Sequence, residues 1–230
     1  MSTSMLKLPM LKRAIPYLLL IVSGLSLTLA FAPFSMWALT IPAFAIAIRQ
    51  VIKLKHTPFF AGWLFGMAWF GAGISWVHVS IADFGGLPLI ASVGLMALLC
   101  GYLALYPALA FKLTAKCVKP QLWPLALPLF WVLAEWLRSW MLSGFPWLSL
   151  GYSQINSPLA GFAPIIGEMG ITALLVVIAA SLAIINSKRT LLSASAITAS
   201  LLISGILLHQ HTWVSPTKSY SVAMVQGNIP

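Results

Sequence analysis

The sequence consists of long apolar runs that are separated by short clusters of basic residues. Seven such runs lie at 14–32, 37–49, 58–79, 87–111, 122–140, 165–186 and 191–209. Most approach the roughly 20 apolar residues that a helix needs to cross the hydrocarbon core of a bilayer. Because a bilayer offers no partner to exposed backbone polar groups, such runs must form helices. We therefore predict an all-α polytopic membrane protein with about seven transmembrane helices.

The composition excludes an ordinary soluble domain. Only 7% of the residues are charged and 60% are hydrophobic, whereas a soluble domain has about a quarter of its residues charged. The formal net charge of +10 does not indicate a nucleic-acid partner. No basic stretch is long enough, or interleaved enough with aromatic residues, to follow a phosphate backbone.

The basic residues predict the orientation of the helices, because lysine and arginine accumulate in the cytoplasmic loops of membrane proteins. When alternate loops are counted from the N-terminus, 11 of the 13 basic residues fall on one side: Lys7, Lys12, Arg13, Arg49, Lys53, Lys55, Lys112, Lys116, Lys119, Lys188 and Arg189. Arg138 and Lys218 fall on the other side. We predict a cytoplasmic tail over 1–13, a transmembrane domain over 14–210 and a segment on the opposite, outer side over 211–230.

Polar and aromatic residues at the predicted outer side are the candidates for binding. Glu135 and Arg138 form either a local ion pair or the wall of a cavity for a lipid headgroup, since ionisable residues at membrane depth are often functional. Trp147, with Phe145 and Pro146, belongs either to the interfacial aromatic belt or to an access site for lipid or peptide. The candidate substrate-binding residues are Trp76, Asp83, Glu135, Arg138, Phe145, Pro146, Trp147, Tyr152 and Gln154.

The residues alone indicate no reaction. The chain has three acidic residues, so it has few carboxyl groups that could act as a paired acid and base. Its histidines are too dispersed for a metal site. Cys100 lies inside an apolar run and Cys117 in a lysine-rich loop, so neither predicts a disulfide. We expect no catalytic residue, no metal and no cofactor.

The C-terminal segment has a different character from the rest of the chain. Residues 220–230 form a short run of high β-propensity that ends in turn residues. Because a single strand is not stable alone, we expect this run to be the first strand of a further domain.

Several short motifs occur at intervals along the chain: Phe31–Phe34, Gly73–Val77 with Val79–Ile81, Phe84–Gly86, Glu135–Arg138, Gly144–Trp147, Gly151–Gln154 and Val225–Pro230. Together they cover nearly all of the chain. In sequence and order they resemble the N-terminal membrane half of bacterial apolipoprotein N-acyltransferases.

The resemblance implies an enzyme of the bacterial inner membrane that completes lipoprotein maturation. Such an enzyme transfers a fatty acyl chain from a phospholipid to the N-terminal diacylglyceryl-cysteine of an apolipoprotein. In the family, a periplasmic nitrilase-like domain carries a Glu-Lys-Cys triad, whose cysteine forms a thioester intermediate. Residues 226–230 are similar to the first strand of that domain, so the triad would lie downstream of Pro230. We expect a truncated or split enzyme, inactive by itself.

Two alternatives remain open from the sequence. The chain could be a stand-alone lipid-binding or transport protein, although it lacks the internal repeats that many transporters contain. It could also be the assembly partner of a separately encoded nitrilase-like subunit. The resemblance implies a phospholipid acyl donor and an apolipoprotein N-terminus as partners.

Overall fold

The computed structural model describes residues 7–227, and it describes side chains from Arg13 onward. Within this range the chain forms nine α-helices joined by turns and short 3₁₀ segments. They are α1 (Lys7–Thr28), α2 (Trp37–Lys53), α3 (Pro58–Gly73), α4 (Val77–Gly85), α5 (Leu89–Leu103), α6 (Leu105–Cys117), α7 (Trp123–Trp140), α8 (Ala163–Ala183) and α9 (Lys188–His209).

The helices confirm the prediction of an all-α, multi-pass membrane protein. Four helical segments are long and apolar enough to cross a bilayer: Leu89–Cys117, Pro120–Ser143, Pro158–Ala183 and Lys188–His209. A fifth arises if α3 and α4, which are bent by 57° at their junction, form one broken span. The structure thus supports four or five spans by length and composition.

Local signals in the sequence explain where several helices begin. Proline occupies the first turn of α3, α7 and α8, where its fixed φ suits a helix and its missing N–H is not needed. At the start of α9, the Ser187 hydroxyl accepts from the Thr190 N–H, and the Thr190 hydroxyl accepts from the Ser187 N–H. This reciprocal capping satisfies two N–H groups that the helix itself leaves without a partner.

The helices pack in a ring around an aromatic core. Helix α3 packs against α1 and α6, α7 lies between α6 and α8, and α2 contacts both α8 and α1. Inside the ring, the rings of Phe44 and Trp131 have centroids 4.6 Å apart in an edge-on arrangement. Phe111 lies 5.5 Å from Trp131, and Phe65 lies 5.9 Å from Phe44. Such aromatic pairs favour offset or edge-on geometries at these distances and join four helices here.

Glycine allows α3 and α6 to approach each other closely. An ideal Cβ built on Gly62 would lie 2.8 Å from the Ala108 Cα, and one on Gly66 would lie 2.9 Å from the Ala104 Cα. Helices in membranes associate largely through such close packing of small residues.

The predicted C-terminal strand is not present in the described residues. Residues 212–227 contain neither helix nor strand, and Tyr220, Val222, Met224 and Val225 are exposed. The physical reason is that a strand needs a neighbour to pair with, and this segment has none here. The last part of the predicted strand, residues 228–230, lies outside the described residues. Helix α1 begins at Lys7, within the tail predicted over 1–13, whose first six residues also lie outside them.

Candidate functional site

The candidate site is built on the segment between α7 and α8, residues 141–162, which we call the α7–α8 connection. It consists of three 3₁₀ segments, Met141–Ser143, Leu150–Gln154 and Pro158–Phe162. Leu142, Ser143 and Gly144 all have positive φ angles, of 52°, 74° and 76°. Left-handed backbone is unfavourable for a leucine, so the surrounding contacts must stabilise this turn.

Arg138 holds the start of the connection. Its side chain is 2% exposed, and its Nη1 atom donates to the carbonyl oxygens of Phe145 at 2.5 Å and Trp147 at 2.7 Å. The guanidinium carbon also lies 5.4 Å from the centre of the Phe70 ring, which adds a cation–π contact. A buried arginine therefore fixes the backbone on both sides of Pro146.

Glu135 holds the next part of the connection. Its Oε1 accepts from the Leu150 N–H at 3.0 Å and from the Trp131 indole at 3.2 Å. Its Oε2 accepts from the hydroxyls of Ser149 at 2.8 Å and Thr172 at 3.0 Å. A buried carboxylate needs several donors to offset the loss of water, and these four come from α7, the connection and α8.

Glu135 and Arg138 do not form an ion pair with each other in the described part of the chain. The hydrogen bonds of Arg138 go to carbonyl oxygens, and those of Glu135 go to N–H and hydroxyl donors. The local ion pair that the sequence left open is therefore wrong. The physical reason is that the connection folds back over α7 and gives each charge its own partners.

Three of the predicted residues come together on the surface. Trp147 is 53% exposed and Trp76 is 49% exposed. The Trp147 ring centroid lies 5.4 Å from that of Phe145 and 6.4 Å from that of Trp76. We call Trp76, Phe145 and Trp147 the aromatic platform. Pro146, which is also exposed, lies between Phe145 and Trp147 in the sequence.

The remaining predicted residues lie apart from the platform. Gln154 is fully buried and donates to the Trp37 carbonyl oxygen at 3.3 Å, so it attaches the connection to α2. Tyr152 is half exposed and borders a separate cavity of about 180 Å³ that Ser35 and Asn156 also line. Asp83 is exposed near the end of α4. It is not among the hydrogen-bond partners of Glu135 in the described part of the chain.

The sequence did not identify Ser149, Thr172 and Glu168 as parts of this site. The Ser149 hydroxyl lies 2.9 Å from Glu168 Oε2 as well as next to Glu135, and Thr172 accepts from the Gly151 N–H at 2.8 Å. One signal was available: Glu168 and Thr172 are four residues apart in an apolar run, so they share one helix face. Their partners could not be foreseen, because Thr172 is 37 residues away from Glu135.

An apolar groove runs between α6 and α7. It has a volume of about 210 Å³, and Leu105, Leu109, Phe130 and Leu133 are among the side chains that line it. Tyr106 also lines the groove, and its hydroxyl group is hydrogen-bonded to that of Tyr102. The groove thus presents hydrocarbon almost throughout, which suits an apolar chain rather than a polar group.

The described residues offer little to a metal ion. Among them, no group of three or more His, Cys, Asp or Glu side chains could hold one. Cys100 is buried in α5, and Cys117 is exposed at the end of α6.

Comparison with known proteins identifies the family. Residues 23–181 match the model of the family described as the apolipoprotein N-acyltransferase N-terminal domain. The chain is 44% identical over 226 residues to the apolipoprotein N-acyltransferase of Shewanella oneidensis, which covers 94% of this chain and 43% of that relative. It is 44% identical over 213 residues to that of Vibrio cholerae, covering 90% of this chain and 42% of the relative. It is 40% identical over 222 residues to that of Coxiella burnetii, and the alignment covers 92% of this chain and 45% of the relative.

These alignments cover most of this chain but less than half of each relative. The matched part includes α2 to α7, the whole α7–α8 connection and most of α8. The chain belongs to the family of the apolipoprotein N-acyltransferase N-terminal domain.

Proposed function

We propose that this chain is the membrane half of an apolipoprotein N-acyltransferase. Such an enzyme transfers a fatty acyl chain from a phospholipid to the N-terminal diacylglyceryl-cysteine of a lipoprotein. The observation that carries the proposal is the family match over residues 23–181. The part of this segment would be to anchor the enzyme and to present its lipid substrates.

The chemistry would be supplied by a nitrilase-like domain outside the segment. Cys100 is buried inside α5, and Cys117 lies at the end of α6 that carries Lys112 and Lys116. Neither position suits a nucleophile that must meet a substrate on the opposite face of the membrane. The segment spans 43% of the Shewanella oneidensis relative, which leaves ample length there for a catalytic domain.

We propose seven crossings of the inner membrane, with the N-terminus in the cytoplasm and the C-terminus in the periplasm. The crossings would be α1, α2, the bent pair α3–α4, the joined pair α5–α6, α7, α8 and α9. Arg49 Nη1 donates to the Ile185 carbonyl oxygen at 3.2 Å, so the C-terminal ends of α2 and α8 meet. Arg49 and Lys53 border one cavity there together with Gln121, at the start of α7. This basic end would face the cytoplasm.

The aromatic platform would then lie at the periplasmic boundary of the membrane. Tryptophan rings suit the headgroup level of a bilayer, because they combine a large apolar surface with one polar N–H. We propose that the platform, with Pro146, Tyr152 and Asp83, borders the approach of the lipid substrates. Glu135, Arg138 and Gln154 would position this surface from beneath, and the groove between α6 and α7 would accommodate an acyl chain.

A chimeric enzyme tests the proposed function. Residues 1–227 would replace the matching segment of the Shewanella oneidensis relative, and membranes containing the chimera would be assayed for N-acylation of a diacylated apolipoprotein. We expect acyl transfer by the chimera and none by membranes that contain this chain alone. A chimera that inserts and is stable but transfers no acyl group would contradict the proposal, as would turnover by this chain alone.

A further inference from the structure

The Ser149 hydroxyl lies between two carboxyl groups. Its Oγ atom is 2.8 Å from Glu135 Oε2 and 2.9 Å from Glu168 Oε2, both within hydrogen-bonding distance. A serine hydroxyl has one hydrogen and can donate it to one acceptor only. The second short contact therefore needs a hydrogen from the other partner. A carboxyl group supplies a hydrogen only when it is protonated.

The remaining hydrogen bonds indicate which carboxyl group carries the proton. Glu135 accepts from three donors besides Ser149: the Trp131 indole, the Leu150 N–H and the Thr172 hydroxyl. The Thr172 oxygen already accepts from the Gly151 N–H, which leaves its own hydrogen for Glu135. A negative charge is most stable where the donors are most numerous.

Glu168 has a different environment. Ser149 is the one hydrogen-bond partner of its carboxyl group among the described residues, and the side chain is only partly exposed. A second ionised carboxylate here would face the charge of Glu135 across a single hydroxyl group. The buried Arg138 is near enough to act on both carboxyl groups, but its hydrogen bonds go to the carbonyl oxygens of Phe145 and Trp147. Burial of two like charges costs more free energy than burial of one charge and one neutral acid.

We propose that Glu168 is protonated in the folded protein and donates to Ser149, which in turn donates to Glu135. The three side chains form a directed chain of hydrogen bonds from α8, through the connection, to α7. Its effect is to hold Ser149 and Leu150 against both helices. Trp147, which precedes Ser149 by two residues, is thereby positioned as well. Glu168 and Ser149 are positioning residues in this proposal, which does not depend on the proposed function.

Infrared spectroscopy tests the proposal directly. Because the sequence contains only three acidic residues, few side-chain carboxyl groups contribute bands to the spectrum. The chain would be purified in an ester-free detergent, with ¹³C in the glutamate side-chain carboxyl groups to separate its bands from residual lipid esters. At neutral pH we expect the C=O stretch of a protonated carboxyl group, shifted by the label. The band should be lost in Glu168→Gln and kept in Asp83→Asn, the matched control at an exposed carboxylate.

Two spectroscopic results would overturn the proposal. One is the absence of a protonated-carboxyl band from the unsubstituted protein. The other is a band that survives in Glu168→Gln and disappears in Glu135→Gln, because the proton would then reside on Glu135.

Stability provides an independent readout. Glutamine can donate its amide N–H to Ser149 as the protonated acid does, whereas methionine has a similar length and no donor. We therefore expect the Tm of Glu168→Gln to stay close to that of the unsubstituted protein, and the Tm of Glu168→Met to fall. A Glu168→Gln protein that fails to fold, or that loses as much stability as Glu168→Met, would contradict the proposal. Acyl transfer is not measured, so failure here leaves the proposed function to its own test.

Discussion

At the scale of single residues, the two buried charged side chains of α7 direct their hydrogen bonds to the loop and its neighbours rather than to each other. Arg138 binds two backbone carbonyl groups, and Glu135 binds one backbone N–H and three side-chain donors. Burial makes each charge costly without such partners. The sequence identified both residues as important because ionisable side chains are rare at membrane depth. It could not identify most of their partners. Those in the connection follow a path that depends on three successive residues with positive φ, and Thr172 lies on another helix.

Substitution of Arg138 tests this role. Arg138→Lys keeps the charge but loses the planar guanidinium that reaches both carbonyl groups and stacks on Phe70. We expect a loss of about 1.5–3 kcal/mol in the free energy of unfolding, and faster amide hydrogen exchange over residues 144–150.

Arg49→Lys is the matched control for this substitution. Arg49 also donates to two carbonyl groups, at 3.4 and 3.2 Å, in a more exposed position, and exposed charged contacts contribute little. Equal effects of the two substitutions on hydrogen exchange in the connection would contradict the role given to Arg138.

At the scale of elements, α9 depends on one close contact. An ideal Cβ on Gly205 would lie 2.2 Å from the Pro158 carbonyl oxygen, and one on Gly161 would lie 2.1 Å from the Gly205 carbonyl oxygen. The two glycines therefore let α9 pack against the 3₁₀ segment Pro158–Phe162. Few other residues of α9 are buried, so this contact is the main attachment of the helix to the bundle.

An added methyl group at this contact should detach the helix. We expect Gly205→Ala to lower the free energy of unfolding by about 1–3 kcal/mol, because the backbone of Pro158 and Leu159 leaves no room for a Cβ. Thermal unfolding in detergent measures the change. Gly94→Ala is the control, since an added Cβ there meets no atom within 4 Å; a Gly205→Ala protein as stable as this control would contradict the packing described for α9.

The helices were largely predictable, but the break in one of them was not. The apolar runs at 122–140 and 191–209 correspond closely to α7 and α9, because the bilayer requirement for helices leaves few alternatives. The run at 58–79 instead breaks between Gly73 and Val77. Glycine and serine are common in membrane helices, so Gly73 and Ser75 gave no clear stop signal. The aromatic platform depends on this break, because the break directs Trp76 toward Trp147.

At the scale of the whole molecule, the two ends of the bundle differ in chemistry. One end carries Arg49, Lys53, Lys116 and Lys188, which lie at or near the ends of α2, α6 and α9. The other end carries the aromatic platform and the α7–α8 connection. We propose that the basic end faces the cytoplasm and that the platform faces the periplasm.

Labelling with a membrane-impermeant maleimide tests this orientation. Cys117, exposed at the basic end, serves as the internal reference, and Tyr152→Cys places a thiol on the exposed connection in a Cys100→Ala background. In intact spheroplasts, we expect Tyr152→Cys to be labelled at once and Cys117 only after lysis. Labelling of Cys117 in intact spheroplasts, with the residue 152 thiol protected until lysis, would contradict the orientation and the role assigned to the platform.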